Sequence, residues 1–260
     1  MLNFRNTNIV FALLLLALAT IQYRYGFDLS WIIALILVYT LFLFYGSFNV
    51  RSNFYIKTHY GKNKGIKQIA ITFDDGPARF TPQILNLLKE HQAPATFFCI
   101  GKHIAAHKEL LQRIHNEGHL IGNHSYNHGF WFDMLPYAKM KAELQRTHAL
   151  VHKLTGREMA WFRPPYGVTN PSLAKAIKNM GYNAIGWNIR SMDTVVKDSN
   201  DLLQKIKKRL TPGAVILFHD TSAATTAMLP AFLRFVKEQQ YDIVRLDKLL
   251  DLQAYRATTD

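Results

Sequence analysis

The sequence predicts an α/β fold with about seven parallel strands, preceded by an N-terminal transmembrane helical hairpin. The hairpin prediction rests on two long apolar runs, at residues 9–21 and 29–46. The α/β prediction rests on the remaining chain, where short β-rich segments alternate with amphipathic helical segments from residue 68 onward. Strands that alternate with helices are typical of parallel β-α units. About seven strands suit either a doubly wound sheet or a small, irregular (β/α) barrel.

The second apolar run has no charged residue and is long enough for a transmembrane helix. The first run is shorter. By itself it could also be the apolar region of a signal peptide, although no small-residue cleavage site follows it. We therefore predict two transmembrane helices within residues 1–50, at about 8–25 and 29–47. The alternative is a single anchor together with an interfacial or cleaved segment.

The chain carries a formal net charge of +13 at pH 7. Arg24 is the one basic residue between the two apolar runs, whereas several follow the second run: Arg51, Lys57, Lys62, Lys64 and Lys67. The positive-inside rule favours both termini and the folded domain on the cytoplasmic face of a cell membrane. Attraction of this basic segment to anionic lipid headgroups explains the charge, so membrane lipid is a predicted partner. The sequence contains no helix-turn-helix, zinc-finger or aromatic RNA-binding pattern, and nucleic acid is not a predicted partner.

A polar, basic linker is predicted at residues 51–66 and one folded domain at residues 67–260. The strand candidates are 68–73, 95–100, 119–123, 159–163, 183–189, 214–218 and 242–246. The helical segments between them lie near 81–91, 103–117, 136–155, 171–180, 199–210 and 226–239. No Gly-rich phosphate loop follows the first strand, which argues against a dinucleotide-binding fold.

Unusual polar residues follow most of these strands at their C-terminal ends. They are Asp74-Asp75, the segment from Asn123 to His128, Arg163, the segment from Arg190 to Asp193, and His219-Asp220. In parallel α/β proteins the C-terminal edge of the sheet is where functional sites are built. The sequence therefore predicts one site at this edge.

Asp74 and Asp75 are adjacent carboxylates at the end of an apolar strand. Like charges resist joint ionisation and burial, so a metal ion or an Arg is expected to compensate them. The alternative is an ordinary turn, in which Asp is common. His124 and His128 are spaced i, i+4 and could bind one metal from a helical turn. Two imidazoles and one carboxylate are a frequent catalytic zinc set.

Arg163 precedes two prolines, which stiffen the loop and orient the following backbone amides in a way that suits an oxyanion site. A surface Arg in a turn is the alternative. His219 follows four apolar residues and could be a general acid held by Asp193 or Asp220, or a core histidine. Six further histidines are predicted to lie on solvated helix faces or at a surface helix end: His103, His107, His148 and His152 on faces, and His115 and His119 at an end.

The motifs Thr72-Phe-Asp-Asp-Gly-Pro77, His124-Ser-Tyr-Asn-His128 and Arg163-Pro-Pro-Tyr166 occur in this order. Trp187 through Asp193 and Leu217-Phe-His219 follow them. With these motifs, residues 66–250 resemble the polysaccharide deacetylase family, which is carbohydrate esterase family 4 or the NodB-homology group. The resemblance implies a distorted (β/α) barrel and metal-dependent removal of N-linked acyl groups, such as acetyl, from sugars.

By matched position, the resemblance implies one divalent metal ion, usually zinc, on Asp75, His124 and His128. It implies that Asp74 is the general base for the attacking water and that Arg163 orients Asp74. It further implies that the backbone amide of Tyr166 contacts the oxyanion. His219 would be the general acid, supported by Asp193. Leu217 and Trp187 would line the acyl pocket.

The fourth motif departs from the family pattern, because many members carry Asp where Arg190 stands and Trp where Thr194 stands. We expect this change to alter substrate fit. The predicted function is a membrane-anchored deacetylase that acts on a cell-envelope polysaccharide or oligosaccharide, or on a lipid-linked amino sugar. The alternative is a catalytically inactive member that binds carbohydrate.

Overall fold

The computed structural model describes residues 3–26, 28–61 and 65–257. Two N-terminal helices, α1 (Phe4–Tyr25) and α2 (Ser30–Phe48), precede the α/β part of the chain. The strands are β1 (Thr58–His59), β2 (Gln68–Asp74), β3 (Ala95–Cys99), β4 (Leu120–Asn123), β5 (Trp161–Phe162), β6 (Asn183–Ile185), β7 (Ile189–Arg190), β8 (Ala214–His219) and β9 (Asp242–Ile243). The later helices are α3 (Thr81–Glu90), α4 (Gly101–Ala106), α5 (Lys108–Asn116), α6 (Tyr137–Thr155), α7 (Pro171–Asn179), α8 (Ser199–Arg209), α9 (Ala223–Glu238) and α10 (Leu246–Leu250).

The strands form one parallel sheet in the order β1-β6-β5-β4-β3-β2-β8-β7, with β9 paired to β2. Strand β7 is at one end of this order and β6 is second from the other end, yet only residues 186–188 separate them along the chain. Such a short connection requires the two ends of the sheet to approach each other, because each residue spans at most about 3.6 Å. The sheet therefore curls into a distorted (β/α) barrel, and this prediction is confirmed.

Strand β2 is the central element that positions the site. Its residues Ile69, Ile71 and Phe73 are fully buried, as expected for a parallel strand that is covered on both faces. The Phe73 ring stacks on Phe97 of β3 at 5.1 Å between centroids. Burying each such side chain contributes about 1.5–3 kcal/mol. This packing fixes the end of β2, where Asp74 and the following Asp75 lie.

Three predicted segments each contain two elements or parts of two elements in the structure. The candidate strand 183–189 is two strands, because the chain leaves β6 beside β5 after Ile185 and joins β8 on the far side of the sheet at Ile189. The candidate helix 103–117 is divided into α4 and α5 at His107, whose ψ of 58° is not helical. The candidate strand 242–246 ends at Ile243, and α10 begins at Leu246.

The predicted linker 51–66 contains structure of its own in the part that is described. Phe54 and Ile56 are buried, and β1 pairs in parallel with β6 through Thr58 and Ala184. Apolar residues between the basic ones give this segment a buried side. Lys62 and Lys64 lie outside the described residues, and the proposed domain boundaries stay a prediction.

Helices α1 and α2 are long and apolar enough to cross a membrane, although length and composition alone are weak evidence for an anchor. At about 1.5 Å per residue, the 22 residues of α1 extend about 33 Å, which matches a hydrocarbon core of about 30 Å. Leu13, Leu16 and Leu41 are among the exposed apolar side chains on these helices.

The end of the helix pair that carries the N-terminus of α1 and the C-terminus of α2 contacts the α/β part of the chain. The Phe4 amide donates to the Phe54 carbonyl at 2.9 Å, and Gly46 packs so closely on the Phe54 ring that a Cβ there would lie 2.1 Å from it. The Thr169 amide donates to the Ser47 carbonyl at 3.0 Å. The start of α1 and the end of α2 are therefore attached beside Thr169.

Candidate metal centre and active site

Three potential metal ligands converge where β2 and β4 end. Atoms of Asp75, His124 and His128 lie within 4.8 Å of one another. The Nε2 atoms of both imidazoles are 3.5 Å from Asp75 Oδ1. His124 Nδ1 lies 2.8 Å from the Arg163 carbonyl, which can only accept a hydrogen bond. The proton of His124 therefore lies on Nδ1, which leaves the Nε2 lone pair facing Asp75.

The predicted helical turn between the two histidines is instead a loop. Residues 124–129 include Ser125 and His128 with φ values of 64° and 49°. The His128 amide donates to Ser125 Oγ at 3.1 Å. Left-handed backbone at non-glycine residues is costly and tends to occur at functional sites. This loop conformation brings both rings to Asp75, whereas the prediction attributed their approach to i, i+4 spacing on a helix.

The chemistry of this cluster fits a divalent cation. Asp75 Oδ1 is buried and has no hydrogen-bond partner among the described residues, and an orphaned carboxylate oxygen of this kind calls for a cation. Ligand atoms about 2.1 Å from a tetrahedral ion lie about 3.4 Å apart, close to the observed separations. Burial and the neighbouring His124 lower the pKa of His128 to about 4, so its imidazole is neutral and available as a ligand.

Asp74 differs from Asp75 in its environment, because it forms a buried ion pair with Arg163. Arg163 Nη1 donates to Asp74 Oδ1 and to Thr72 Oγ1, each at 2.7 Å. Arg163 is fully buried and its guanidinium also lies over the Phe98 ring, 4.0 Å from the centroid. Asp74 Oδ2 remains 3.8 Å from His124 Nε2, beside the cation site.

His219 and Asp193 form the second buried pair. His219 Nδ1 donates to Asp193 Oδ1, and the His219 amide donates to Asp193 Oδ2, each at 2.7 Å. Burial lowers the pKa of His219, but the hydrogen bond and charge of Asp193 outweigh it, with help from Asp74 and Asp75, and raise the pKa to about 9. His219 Nε2 lies 3.9 Å from Asp75 Oδ2 and so faces the cation site.

One cavity of about 250 Å³ unites the predicted residues. Its lining includes Asp74, Asp75, His124, His128, Tyr166, Trp187, Leu217 and His219. Arg163 and Asp193 are buried behind this lining, where they hold Asp74 and His219. The two residues that depart from the family pattern, Arg190 and Thr194, also line the cavity. The structure thus brings every predicted site residue to one place, while their individual roles stay predictions.

Several residues that support the site were missed or misread from the sequence. His103 is not on a solvated face, because its Nδ1 donates to the Asp75 carbonyl at 2.7 Å. Ser191 Oγ donates to Asp193 Oδ1 at 2.8 Å, and Thr225 Oγ1 donates to Asp193 Oδ2. The available signal was the position of His103 in the first turn of α4, the helix that follows β3 at the C-terminal edge of the sheet.

Asp220 was a predicted alternative partner for His219, and the structure shows that it has a different environment. It is fully buried, accepts from Thr81 Oγ1, and lies against Gly76, where a Cβ would be 2.0 Å from Asp220 Oδ2. Burial raises the pKa of Asp220 to about 7. Gly76 is therefore required by close approach, and Asp193 is the carboxylate that holds His219.

The curled parallel α/β barrel, the Asp-His-His group that could hold a metal ion and the buried His–Asp pair define this protein as a (β/α) barrel with a candidate metal centre at the C-terminal edge of its sheet. The chain belongs to the polysaccharide deacetylase family. The family model described as polysaccharide deacetylase matches residues 61–185. The relative PdaA of Bacillus subtilis, a peptidoglycan-N-acetylmuramic acid deacetylase, is 31% identical over 191 residues, which cover 71% of this chain and 72% of that protein.

Other relatives differ in length and named substrate. PgdA of Listeria monocytogenes, a peptidoglycan-N-acetylglucosamine deacetylase, is 34% identical over 189 residues, covering 72% of this chain but 40% of that protein. The chain therefore matches less than half the length of that relative. A chitooligosaccharide deacetylase of Rhizobium leguminosarum is 34% identical over 158 residues, covering 60% of this chain and 69% of that protein.

Solved structures share the fold. The Bc1960 peptidoglycan N-acetylglucosamine deacetylase has a TM-score of 0.72 and 27% identity, covering 76% of this chain and 94% of that chain. BA3943 of Bacillus anthracis, described as a pseudoenzyme of carbohydrate esterase family 4, has a TM-score of 0.70 and 28% identity, covering 75% of this chain and 69% of that chain.

Proposed function

We propose that this protein is a membrane-anchored, metal-dependent deacetylase that removes N-linked acetyl groups from a carbohydrate. The observation that carries the proposal is the convergence of a cation centre, a buried carboxylate base and a protonated histidine on one cavity. The relatives named above act on peptidoglycan or chitooligosaccharide, which makes N-acetylated amino sugars the substrate class to test first.

Zinc is the proposed cation because two imidazoles and one carboxylate, with an open position, are a common catalytic zinc set. Asp75, His124 and His128 would hold it. A cation bound there would polarise the acyl carbonyl and make a nearby water molecule more acidic.

Asp74 is the proposed general base. Arg163 Nη1 donates to Asp74 Oδ1, while Asp74 Oδ2 lies beside the proposed cation site. As the water oxygen bonds to the acyl carbon, Asp74 takes the water proton. The backbone amide of Tyr166 is the proposed oxyanion contact. Tyr166 has a φ of 58° and lies over His128, with ring centroids 4.8 Å apart.

His219 is the proposed general acid. Its Nδ1 proton is held by Asp193, so its Nε2 proton faces the site and can pass to the leaving nitrogen. The carbon–nitrogen bond then breaks, which yields acetate and a free amine on the sugar. Leu217 and Trp187 line the cavity and would contact the acyl group.

The membrane part of the proposal rests on α1 and α2. We place the catalytic domain on the cytoplasmic face, because the basic residues after α2 outnumber Arg24 between the helices. On that face the substrate would be a lipid-linked amino sugar, whereas on the opposite face it would be a cell-envelope polysaccharide. A reporter fused to the C-terminus distinguishes the two, since a signal from outside the cytoplasm contradicts the cytoplasmic placement.

The deciding experiment measures acetate release from N-acetylglucosamine oligomers, peptidoglycan and lipid-linked N-acetyl amino sugars. We expect activity on at least one substrate, its loss in a chelator, and its return with zinc. Asp74→Asn and His219→Ala should each abolish it, while Lys248→Ala, an exposed residue far from the cavity, should not.

The alternative is a catalytically inactive member that binds carbohydrate. The structural neighbour BA3943 is described as a pseudoenzyme of the same family. Sugar binding without acetate release on any substrate, in protein shown to contain metal, would establish that alternative.

A further inference from the structure

An exposed apolar segment lies beside the cavity, where its Phe130 ring is close to the ring of the lining residue Tyr166. In the rim segment, residues 130–134, the side chains of Phe130, Trp131 and Met134 are 71%, 68% and 72% exposed. Phe132 between them is buried and anchors the segment to the core. Large apolar side chains grouped on a surface mark an interaction site.

The rim segment is next to the metal centre. It begins two residues after the proposed ligand His128. The Phe130 ring lies 6.3 Å from the Tyr166 ring, which in turn lies 4.8 Å from the His128 ring. Whatever covers the rim segment therefore also borders the entrance through which a substrate reaches the site.

The rim segment is also next to the attached end of the two N-terminal helices. Asn170 Nδ2 donates to the Asp133 carbonyl at 2.6 Å. The adjacent Thr169 donates through its amide to Ser47 and through Oγ1 to the Gly46 carbonyl, at 3.0 and 3.2 Å. Two neighbouring residues thus connect the rim segment to the last turn of α2.

The charges at this end of the helices suit a lipid surface. Arg5 at the start of α1 and Arg51 just after α2 are both exposed at the attached end. Basic residues at the end of a membrane span are attracted to anionic headgroups, and exposed aromatic side chains partition into the headgroup region.

We propose that the rim segment inserts into the headgroup region of the same bilayer that α1 and α2 span, so that the cavity opens toward the membrane surface. A membrane occupies the space beside α1 and α2 whenever they span it, which is why the bilayer is the proposed partner. Given the proposed deacetylase function, on which this second part rests, the substrate is an N-acetylated sugar carried on a lipid. Its sugar enters the cavity while its lipid stays in the bilayer.

Depth measurement on the full chain tests the docking directly and does not depend on activity. Because Cys99 is the single cysteine and is buried, a Cys99→Ala background accepts a spin label at Met134→Cys. Lys248→Cys is the matched control, because Lys248 is exposed and lies on the side of the sheet where Gly118 and His119 precede β4. Both proteins are reconstituted into phosphatidylethanolamine–phosphatidylglycerol vesicles.

We expect the label at position 134 to collide severalfold less with a water-soluble nickel complex and severalfold more with oxygen than the label at position 248. Equal accessibility at the two positions overturns the docking proposal.

A second experiment tests the substrate class with a Trp131→Ser/Met134→Ser variant and an Ile66→Ser control, Ile66 being an exposed apolar residue just before β2. We expect the double variant to lose at least severalfold activity on a lipid-linked N-acetyl amino sugar in vesicles. Its activity on a soluble N-acetylglucosamine oligomer and the activity of the control should be unchanged.

Equal loss on both substrates would show that the rim segment holds sugar and not lipid, and no loss on either would show that it does neither; both outcomes overturn the proposal. If the unmodified chain hydrolyses no substrate, the deacetylase proposal fails, and the spin-label result still decides the docking.

Discussion

Arg163 and Asp74 form an ion pair of 2.7 Å in which both side chains are almost completely buried. The pair joins the ends of β5 and β2 across the interior of the barrel. Arg163 is also bound by the carbonyls of Ile185 and Gly186, at 3.2 and 3.0 Å from Nε and Nη2. The Arg163 guanidinium therefore fixes Asp74 Oδ1 and leaves Asp74 Oδ2 on the side of His124.

Removing the Arg163 guanidinium while Asp74 is kept should destabilise the protein strongly. We expect Arg163→Met to lower the free energy of unfolding by about 3–5 kcal/mol, because Asp74 is then left buried without a partner. The Asp74→Asn/Arg163→Met variant should lose less, since neither charge remains. Denaturant unfolding of the full chain in detergent, without metal, measures both. A double variant less stable than Arg163→Met contradicts this account.

The adjacent acids should respond differently to substitution. We expect Asp75→Ala to weaken zinc affinity by more than the 10–100-fold typical of residues behind a ligand, because it removes a ligand itself. Asp74→Ala should retain zinc and lose turnover by roughly 10²–10⁴-fold, as expected for a general base. Metal content after dialysis and acetate release test the division. Loss of zinc by both variants would contradict it.

The Asp193–His219 pair predicts a specific change in the pH profile. Because Asp193 raises the pKa of His219, Asp193→Asn should lower that pKa. The general acid then loses its proton at lower pH, so the alkaline limb of kcat/KM should move to lower pH.

Thr225→Val is the milder control for this prediction, because it removes only the hydroxyl that donates to Asp193. It should move the alkaline limb less than Asp193→Asn does. If Asp193→Asn reduces kcat but leaves the alkaline limb of the kcat/KM profile at the same pH, the pKa of His219 does not determine that limb.

Arg190 should determine preference for charged substrates. It lines the cavity, where many family members carry an acid, and its guanidinium lies 5.9 Å from the centroid of the Trp187 ring. We expect Arg190→Ala to raise KM for a substrate with a phosphate or carboxylate by roughly 10- to 100-fold, since hydrogen bonds to charged groups contribute about 1.5–3 kcal/mol. The KM for a neutral oligomer should stay unchanged, and Arg234→Ala on α9 is a control for the change in net charge. Equal effects on both substrates would rule out charge recognition.

His119 should make stability depend on pH. It is buried, its Nδ1 accepts from the Ala95 amide at 3.2 Å, and burial lowers its pKa to about 4. The unfolded chain, with a His pKa of about 6.5, binds the proton first as pH falls. Stability from this residue is therefore present above about pH 6.5 and is lost toward pH 4.

Between pH 7 and pH 5 this loss is about 2 kcal/mol. His119→Asn keeps an acceptor for the Ala95 amide but does not titrate in that range. Between pH 7 and pH 5 the free energy of unfolding of the variant should therefore fall by about 2 kcal/mol less than that of the unmodified protein. Unfolding of both proteins in chelator at the two pH values measures the difference. Parallel pH profiles would contradict the buried neutral His119.

The site was predictable from sequence because its residues stand at strand ends, where strand–helix alternation alone indicates the shared edge. Asp74, Arg163 and His219 could be placed together in this way without knowing which strands are neighbours. The division of residues 183–189 into β6 and β7 could not be predicted, because the sequence pattern of an apolar run is the same whether it forms one strand or two. The end of one strand and the start of the other are decided by closure of the sheet.

The position of His103 near the C-terminal edge of the sheet was visible in the sequence, but its hydrogen-bond partner was not. The Asp75 carbonyl that it binds lies 28 positions away in the chain. His119 was misread for a similar reason, since a histidine beside Gly118 resembles a helix end and its burial depends on packing against β3.

The short connection between β6 and β7 limits how relatives of this protein can vary in length. Arg163 binds the backbone at that connection, so an added residue in 186–188 would enlarge the barrel circumference and displace the group that aligns Asp74. Residues 129–135 carry no such restriction, because they border the entrance and do not close the sheet. Insertions and deletions should therefore accumulate at the entrance, so that substrate range diversifies while the catalytic geometry is inherited unchanged.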